Sequence, residues 1–359
     1  MAGFIYSELC IAIGQAPEQE AKSPYIFDQL DQIFKDFDWT ISFDRPVIIV
    51  YDEVIYSLCF IEIHNWLRKK SCNLNHIFLI STHTANSSNW WEQYCQTMHI
   101  RSFHVIDTYF TPRYAAMFLT DLQKLDYDKI FNEKQSNLKY LFSYYGGSYG
   151  AQERDYLALQ MCHFYDSAMI DYVGTFKSQR QFTDYVEQIS YFLDDKCVNE
   201  LDGFYKKYVD QDQKLIVHPH WKQYTEKFQL NEPLNLSGLQ WQVDRDCFAT
   251  VIRETWQNDC FYQASEKTWR TFYHCNIAIP LGYDSVRELE RRGFWFPHDL
   301  IDYSYSSEPV FHDRTERLKK SLHNLNKIPI KELANYLRDN WNKIVDNSIK
   351  INKLSERVE

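Results

Sequence analysis

Short apolar runs rich in β-branched residues alternate with longer amphipathic stretches through the first half of the chain. Three of these runs are RPVIIVYDE, NHIFLISTH and SFHVIDTY, and an earlier run, FIYSELCIAI, has the same character. Alternation of this kind is typical of a parallel sheet covered by helices, with ligand-binding groups at the carboxyl ends of the strands. The sequence therefore predicts an α/β protein with a Rossmann-like domain in its first half.

The length of the chain, 359 residues, predicts two domains that each bury a core of their own. The polar stretch 126–137 predicts the connection between a first domain, residues 1–137, and a second α/β domain that begins at residue 138. Residues 177–240 are charged and aromatic with weak periodicity, which predicts an insertion in the second domain. Two closing helices are expected, Arg314–Asn324 and Ile330–Ser348.

Composition excludes several classes of protein. The net charge of −10 argues against tight nonspecific binding of nucleic acid, which depends on Lys and Arg. The nine cysteines include no C-x-x-C pair, which predicts reduced thiols in a cytoplasmic protein without a zinc site. The chain contains no run of ~20 apolar residues, which argues against a transmembrane segment. MAGFIYSELCIAIG lacks the basic start of a signal peptide, so it is predicted to be a first strand. The absence of G-x-G-x-x-G leaves a nicotinamide dehydrogenase unsupported.

The segment Tyr262–Gly282 carries the clearest functional signal. An aromatic strand end is followed by Ser265, Glu266 and Lys267, then by a helical run and an apolar strand. The opening turn of a helix has free N–H groups and a positive dipole end, which favour a phosphate-bearing ligand. Glu266 could take ribose hydroxyls and Lys267 could neutralise phosphate, with the Ser265 hydroxyl capping the helix. The alternative is a solvated Glu–Lys pair on an ordinary amphipathic helix.

The order of features around this segment resembles the donor-binding half of the α1,3-fucosyltransferase-like glycosyltransferases, and more closely that of a group of phage and marine-virus glycosyltransferases. The resemblance covers roughly residues 138–325, beginning with LKYLFSYYGGSYGAQERDYL. The matching positions are Glu254, Glu266, Lys267, Pro280, Gly282, Gly293, Phe294, Asp302, Ser304 and Tyr305. The chain departs from the pattern at Ser265, in the short spacing of Pro280 and Gly282, and at Ser306, where an Asp is expected.

The resemblance implies two Rossmann-like domains that face each other across a cleft, the GT-B architecture. Residues 1–137 would then be the acceptor side and residues 138–325 the donor domain, while residues 326–359 would end in a helix that packs back on the first domain. The implied activity is inverting transfer of a sugar from a GDP- or UDP-sugar to an acceptor hydroxyl, with a glycan as the expected acceptor. The implied source is viral, inside an infected host cell.

Transfer of this kind needs positive charge near the departing phosphates and a carboxylate base near the acceptor. Besides Lys267, the candidate cations are Arg253, Arg154 and Arg270, each with a structural role as the alternative. Glu254 would line the donor pocket, and Tyr262 could stack on the base or the sugar.

The base is expected at a strand end of the first domain, where Glu53 is preferred, followed by Asp52 and Asp107. The alternative for each is a capping or loop carboxylate.

Three further readings stay open. Asp-x-Asp spacings are frequent here by chance, and Asp244/Asp246 alone precede a predicted strand, so no essential metal is expected and Mg²⁺ would at most assist product release. The acceptor could be hydroxymethylated pyrimidine in viral DNA, with KSQRQ and WLRKK as the best basic runs. A non-catalytic scaffold or binding protein with the same fold is left open by Ser306.

Overall fold

The computed structural model describes two compact units. Unit 1 comprises Met1–Asp121, Asn258–Ser265 and Leu354–Glu359, and unit 2 comprises Leu122–Gln257 and Glu266–Lys353. The residues that the structure describes are 10–13, 31, 37–51, 57–82, 84–85, 87–108, 125–148, 156–157, 160–164, 166–173, 243–253, 262–264 and 266–356. Each unit contains a parallel sheet with helices, so the predicted α/β class with two Rossmann-like units is confirmed.

The sheet of unit 1 has four parallel strands in sequential order. These are β1 (Cys10–Ile13), β2 (Val47–Tyr51), β3 (Ile77–Thr82) and β5 (His104–Thr108), paired in the order β1-β2-β3-β5. Helices α1 (Ser57–Lys69) and α2 (Ser87–Thr97) follow β2 and β3. A short antiparallel pair joins β4 (Thr84–Ala85) to β9 (Tyr262–Gln263). The core of this unit packs apolar strand residues against aromatic rings of the helices, including Phe60, Trp66 and Trp91.

The sheet of unit 2 has a different strand order. Its strands are β6 (Tyr140–Ser148), β7 (Ala168–Val173), β8 (Cys247–Ile252) and β10 (Ile277–Pro280), all parallel in the order β10-β8-β6-β7. The helices are α3 (Tyr127–Asn137), α4 (Glu266–Tyr273), α5 (Ser285–Glu290), α6 (Phe311–Leu325), α7 (Ile330–Asp339) and α8 (Trp341–Glu356). Every residue of β8 and β10 is buried, as expected for parallel strands covered on both faces.

The order in which the chain adds strands to the second sheet therefore reverses after β7, although all four strands are parallel. After β6 it adds β7 on one side, then returns to add β8 and β10 on the other. The neighbours β6 and β8 form a topological switch point, and ligands of open α/β sheets bind at the carboxyl ends of such strands.

The stretch 126–137 is not an extended connection between domains. It forms α3, whose N-cap Asp126 accepts a hydrogen bond from the backbone N of Lys129 at 2.9 Å. Ile130 and Lys134 are buried, and the division between the units falls earlier, between Asp121 and Leu122. The prediction of a connection rested on polar composition, and one of the polar side chains, Lys134, is hydrogen-bonded inside unit 2.

The apolar run Phe294–Phe296 does not form a strand. Gly293 has a left-handed φ of 82° and donates its backbone N–H to Glu290 O at 2.7 Å, the arrangement of a glycine just after the end of a helix, here α5. Phe294 then turns inward and stacks on Phe272 with ring centroids 4.5 Å apart. The apolar run is therefore a buried helix exit, which a short alternating pattern cannot distinguish from a strand.

The C-terminal region contains three described helices where two were expected. The predicted helix 330–348 is divided at Asn340 into α7 and α8. Helix α8 packs within unit 2 through Ser348, which donates to Tyr273 O at 3.1 Å, and through Asn347, which bonds the backbone of Trp295. Residues 354–359 cluster with unit 1. None of the helices in the described part of the chain combines the length and apolar character needed to cross a bilayer.

Candidate functional site

The ladder across the switch point ends before β6 does. Pairing between β6 and β8 runs from Tyr140/Cys247 to Tyr144/Val251. Pairing between β6 and β7 continues further, to Ser148/Val173. We define the switch-point site as residues 146–148 at the end of β6, Arg253 after β8, and the start of α4. Its elements all belong to unit 2.

A bulge shapes the β6 side of this site. The register between β6 and β7 shifts between Tyr145 and Gly147, so Gly146 is an extra residue in the ladder. A bulge bends its strand and recurs beside active sites, and glycine lets a ligand approach the backbone closely. The sequence showed the Gly-Gly pair only as a turn signal, because the bulge depends on the pairing with β7.

The β8 side of the site carries a buried cation. Arg253 directly follows β8 and is 2% exposed. The ladder between β8 and β10 continues to this point, since Leu281 N donates to Ile252 O at 3.0 Å, and this fixes the backbone from which Arg253 projects. A guanidinium remains protonated even when buried and presents donors in a planar fork that matches phosphate.

The start of α4 lies at the same end of the sheet. Because α4 lies between the parallel strands β8 and β10 in the chain, it runs antiparallel to them and begins near their carboxyl ends. Its first two residues are Glu266 and Lys267, and the buried face of the helix is formed by Thr268 and Trp269. Lys267 is only partly buried, so its ammonium can reach solvent or a ligand.

Arg270 belongs to the other end of α4. It lies in the last turn, and its charge contributes to lowering the pKa of His274, just beyond the helix. The structure therefore groups Lys267 with the carboxyl ends of the strands and Arg270 with the amino ends.

Several predicted site residues fall outside this description. Asp52, Glu53, Arg154, Glu254 and Ser265 lie outside the described residues, as does the side chain of Glu266. Their roles stay predictions, and the predicted insertion 177–240 lies outside the described residues as well.

Tyr262 is buried in β9, which pairs with β4 inside unit 1. Its predicted stacking on the donor also stays a prediction.

Asp107 has a structural role. Its carboxylate accepts backbone N–H groups of Ser87 at 3.2 Å and Ser88 at 3.0 Å, together with both serine hydroxyls. Four hydrogen bonds hold this carboxylate at the start of α2, where it caps the helix from a neighbouring strand. The capping alternative therefore describes Asp107 better than the role of a base.

The amino end of the second sheet is closed by a buried network that the sequence did not indicate. Lys134 is 1% exposed and donates to Asp244 O at 2.9 Å, Cys247 O at 2.8 Å and Asn276 Oδ1 at 2.5 Å. Burial lowers the pKa of Lys134 to about 8, although the nearby charge of Asp244 opposes the change. The ammonium thus links α3 to the starts of β8 and β10.

The Asp-x-Asp pair 244/246 belongs to this network. Asp244 accepts from Ser143 Oγ at 2.9 Å and Thr250 Oγ1 at 3.2 Å, and its other oxygen lies 2.8 Å from His274 Nδ1. Burial is the main cause that lowers the pKa of His274. The pair does precede a strand, as predicted, but that position is the amino end, opposite the switch-point site.

Ser306 replaces the expected carboxylate by a hydroxyl that caps a helix. Its Oγ accepts from Val286 N at 3.2 Å in the first turn of α5, and its carbonyl accepts from Asp284 N at 2.7 Å. A serine oxygen therefore satisfies an N–H at the start of α5 that would otherwise lack an intrahelical partner.

Comparison with known proteins identifies no family for this chain and one distant similarity in structure. No protein-family model matches the chain, and no curated protein matches it. Among solved structures, the chain is similar to an α,α-trehalose-phosphate synthase (UDP-forming) from Burkholderia vietnamiensis at 11% identity and a TM-score of 0.38. The match covers 87% of this chain and 66% of the synthase chain. A likeness at this TM-score carries no argument about function.

Proposed function

We propose that the protein is a glycosyltransferase that binds a nucleotide-sugar at the switch-point site of unit 2. The observation that carries the proposal is the buried guanidinium of Arg253 at the carboxyl end of β8, where the ladder between β8 and β6 ends. A fixed cation in a dehydrated setting stabilises the diphosphate that leaves during transfer. Lys267 and the dipole of α4 add positive potential at the same end of the sheet.

In the proposed reaction, an acceptor hydroxyl oxygen attacks the anomeric carbon of the donor sugar. The bond between that carbon and the phosphate oxygen breaks, and the electron pair leaves with the nucleoside diphosphate. The hydroxyl proton passes to a carboxylate, for which Glu53 is the first candidate and Asp52 the second. Inversion, independence from an essential metal, and a glycan acceptor belong to this proposal through the family resemblance.

Donor binding is the first test. We expect one of GDP, UDP, CMP and dTDP, or its common sugar conjugates, to raise the melting temperature, because a ligand specific to the folded state stabilises it by mass action. The panel is measured by thermal shift with and without Mg²⁺. A lack of any shift across the panel would contradict the proposal and favour a scaffold without donor binding.

Lys267→Ala tests where the donor binds. We expect roughly tenfold weaker nucleotide binding, because one cation near the diphosphate is removed, with little change in melting temperature. Lys331→Ala is the matched control, since Lys331 is also the second residue of a helix, α7, and is exposed. Equal nucleotide affinity in the two variants would remove Lys267 from the donor site.

Glu53→Gln tests the proposed base. We expect donor affinity to be retained while the transfer rate falls by about 10²- to 10⁴-fold, because an amide cannot accept the acceptor proton. Transfer to glycan acceptors and to hydroxymethylated DNA is measured in parallel with the wild-type protein. Full activity of the variant would assign the base elsewhere, and Asp52→Gln would be measured next.

A further inference from the structure

Unit 1 contains a cavity that the proposed transfer reaction does not use. Its volume is about 440 Å³, and it lies at the amino end of the first sheet, between the end of α1 and the segments that lead into β2, β3 and β5. Its polar lining is formed by Arg68, Arg101, His64, His99, Asn73 and Asn75. The volume is within the ~300–1,000 Å³ typical of small-molecule sites.

The charge of this cavity is one-sided. Arg68 and Arg101 contribute two guanidinium groups, and among the described residues that line the cavity there is no carboxylate. This is unexpected in a chain whose net charge is −10. A second cavity, about 390 Å³ beside α5 in unit 2, differs because its Arg287 pairs with Asp284 and its His298 pairs with Glu290 at 2.6 Å.

Hydrogen bonds hold the wall of the unit 1 cavity, two of them partly buried and one exposed. His64 is buried, and its Nε2 lies 2.7 Å from Arg101 O, which fixes the backbone that carries the second guanidinium. On the other side, Asn73 N donates to Ser42 Oγ at 2.7 Å and Asn75 N donates to Asn73 Oδ1 at 3.3 Å. The two arginine side chains therefore extend from a backbone that is positioned before any ligand arrives.

The charge of Arg68 also acts on the imidazole of His64 in this wall. Burial is the main cause that lowers the pKa of His64, and the charge of Arg68 lowers it further. The positive charge in the cavity therefore comes from the two arginines, with the buried imidazole neutral near pH 7.

An aromatic ring completes the cavity. Phe43 lines it and is 59% exposed, which is high for a phenylalanine in a structured segment. An exposed aromatic face beside two guanidinium groups can pack on the ring of a ligand whose anionic end the arginines hold.

We propose that this cavity is a binding site for a phosphate ester of a ring compound, either a sugar phosphate or a mononucleotide. The two arginines bind the phosphate dianion, the Asn73 and Asn75 amides offer further hydrogen-bonding groups, and Phe43 packs on the ring. The site lies wholly in unit 1 and does not depend on the donor site of unit 2.

Isothermal titration calorimetry with the full chain tests the proposal. The probes are inorganic phosphate, glucose 6-phosphate, AMP and, as the neutral control, glucose. We expect glucose 6-phosphate or AMP to bind roughly tenfold more tightly than inorganic phosphate, while glucose gives no binding. The tighter of the two esters identifies the ring. Absence of binding by all three phosphates would overturn the proposal.

Variants locate the bound phosphate. Arg68→Gln and Arg101→Gln should each weaken binding of both inorganic phosphate and the ester by about tenfold, since each removes a charge-assisted contact. Arg45→Gln is the matched control, because Arg45 is exposed in the same unit and does not line the cavity. Phe43→Ala should weaken the ester but leave inorganic phosphate unchanged.

Two results would overturn the assignment. One is equal loss of phosphate binding in Arg45→Gln and in the two cavity variants, which would indicate general surface charge. The other is loss in Lys267→Ala with retention in Arg68→Gln and Arg101→Gln, which would place the phosphate in the switch-point site. Melting temperatures of all variants, measured without ligand, exclude unfolding as the cause of a loss.

Discussion

The two ends of the sheet in unit 2 use buried cations in opposite ways. At the amino end, the ammonium of Lys134 is held by three acceptors from the surrounding chain, and the strands stay paired around it. At the carboxyl end, the guanidinium of Arg253 lies where the ladder between β6 and β8 ends, beside a glycine bulge. The difference teaches that two buried cations of one sheet can have different surroundings, and it is the reason that the proposed donor site is placed at the carboxyl end.

The amino ends of the two sheets, one in each unit, also differ. In unit 2, the amino end is filled by the side chains of Lys134, Asp244 and Asn276. In unit 1, the amino end retains a cavity that is bordered by Arg68 and Arg101. Whether such an end is filled or hollow depends on which side chains its helices and loops direct inward.

Lys134→Met would remove the buried ammonium at the amino end of the unit 2 sheet, and it has the largest expected effect on stability. It leaves three buried acceptors without their donor, so we expect the free energy of unfolding to fall by about 3 to 5 kcal/mol. Chemical denaturation gives the value.

Lys139→Met is the control for this change, because the Lys139 side chain is 61% exposed and its ammonium lies 3.7 Å from Asp246 Oδ2. We expect this control to lower the free energy of unfolding by less than about 1 kcal/mol. A similar loss in both variants would show that the buried network has no special weight.

Arg253→Lys would change the buried cation at the carboxyl end of the unit 2 sheet, and its expected effect in free energy is smaller than that of Lys134→Met. The charge is kept but the planar fork is lost, so we expect nucleotide affinity to fall about tenfold, or about 1.4 kcal/mol. Calorimetry measures the affinity for the nucleotide that raises the melting temperature. An unchanged affinity together with a lower melting temperature would make Arg253 purely structural and would remove the contrast between the two ends.

The smallest expected effect is the pH dependence of stability that His274 contributes at the amino end of the unit 2 sheet. The pKa of folded His274 lies below its usual value, chiefly because the ring is buried and in spite of its bond to Asp244. As pH falls below about 6.5, the unfolded chain gains this proton before the folded chain does, so stability is lost. One such group changes the free energy of unfolding by at most about 1.4 kcal/mol per pH unit.

Denaturation of the wild type and of His274→Asn between pH 7.5 and 5.5 measures this contribution. We expect the variant to lose less stability over that range, because its amide does not titrate. Identical pH dependence in the two proteins would mean that His274 gains its proton equally well in the folded state.

The sequence was informative where one local pattern decides the structure. The apolar runs that became β2, β3, β5 and β8 are continuous and β-branched, and α4 and β10 follow the predicted order. It failed where the outcome depends on distant partners. The polar stretch 126–137 gave no sign that Lys134 is buried, because the acceptors of its ammonium lie more than a hundred residues away. The sequence likewise gave no sign that Phe294 packs on Phe272.

The candidate site divides in the same way. Lys267 and Arg253 were visible as cations beside a helix start and a strand end, because both positions are fixed by local order along the chain. The hydrogen bonds of Asp107 to Ser87 and Ser88, and the contact of Asp244 with His274, required the structure, since they join segments that are distant in the chain.

Hydrophobic periodicity alone determined the α/β class and most of the described strands, because burial of one face or of both is imposed by the residues themselves. Tertiary structure decided the strand order β10-β8-β6-β7, the bulge at Gly146 and the separation of β6 from β8. These depend on which strands pair, and pairing joins segments far apart in the chain whose apolar runs are nearly interchangeable. The location of the proposed site is therefore a property of the topology, while its cations are a property of the sequence.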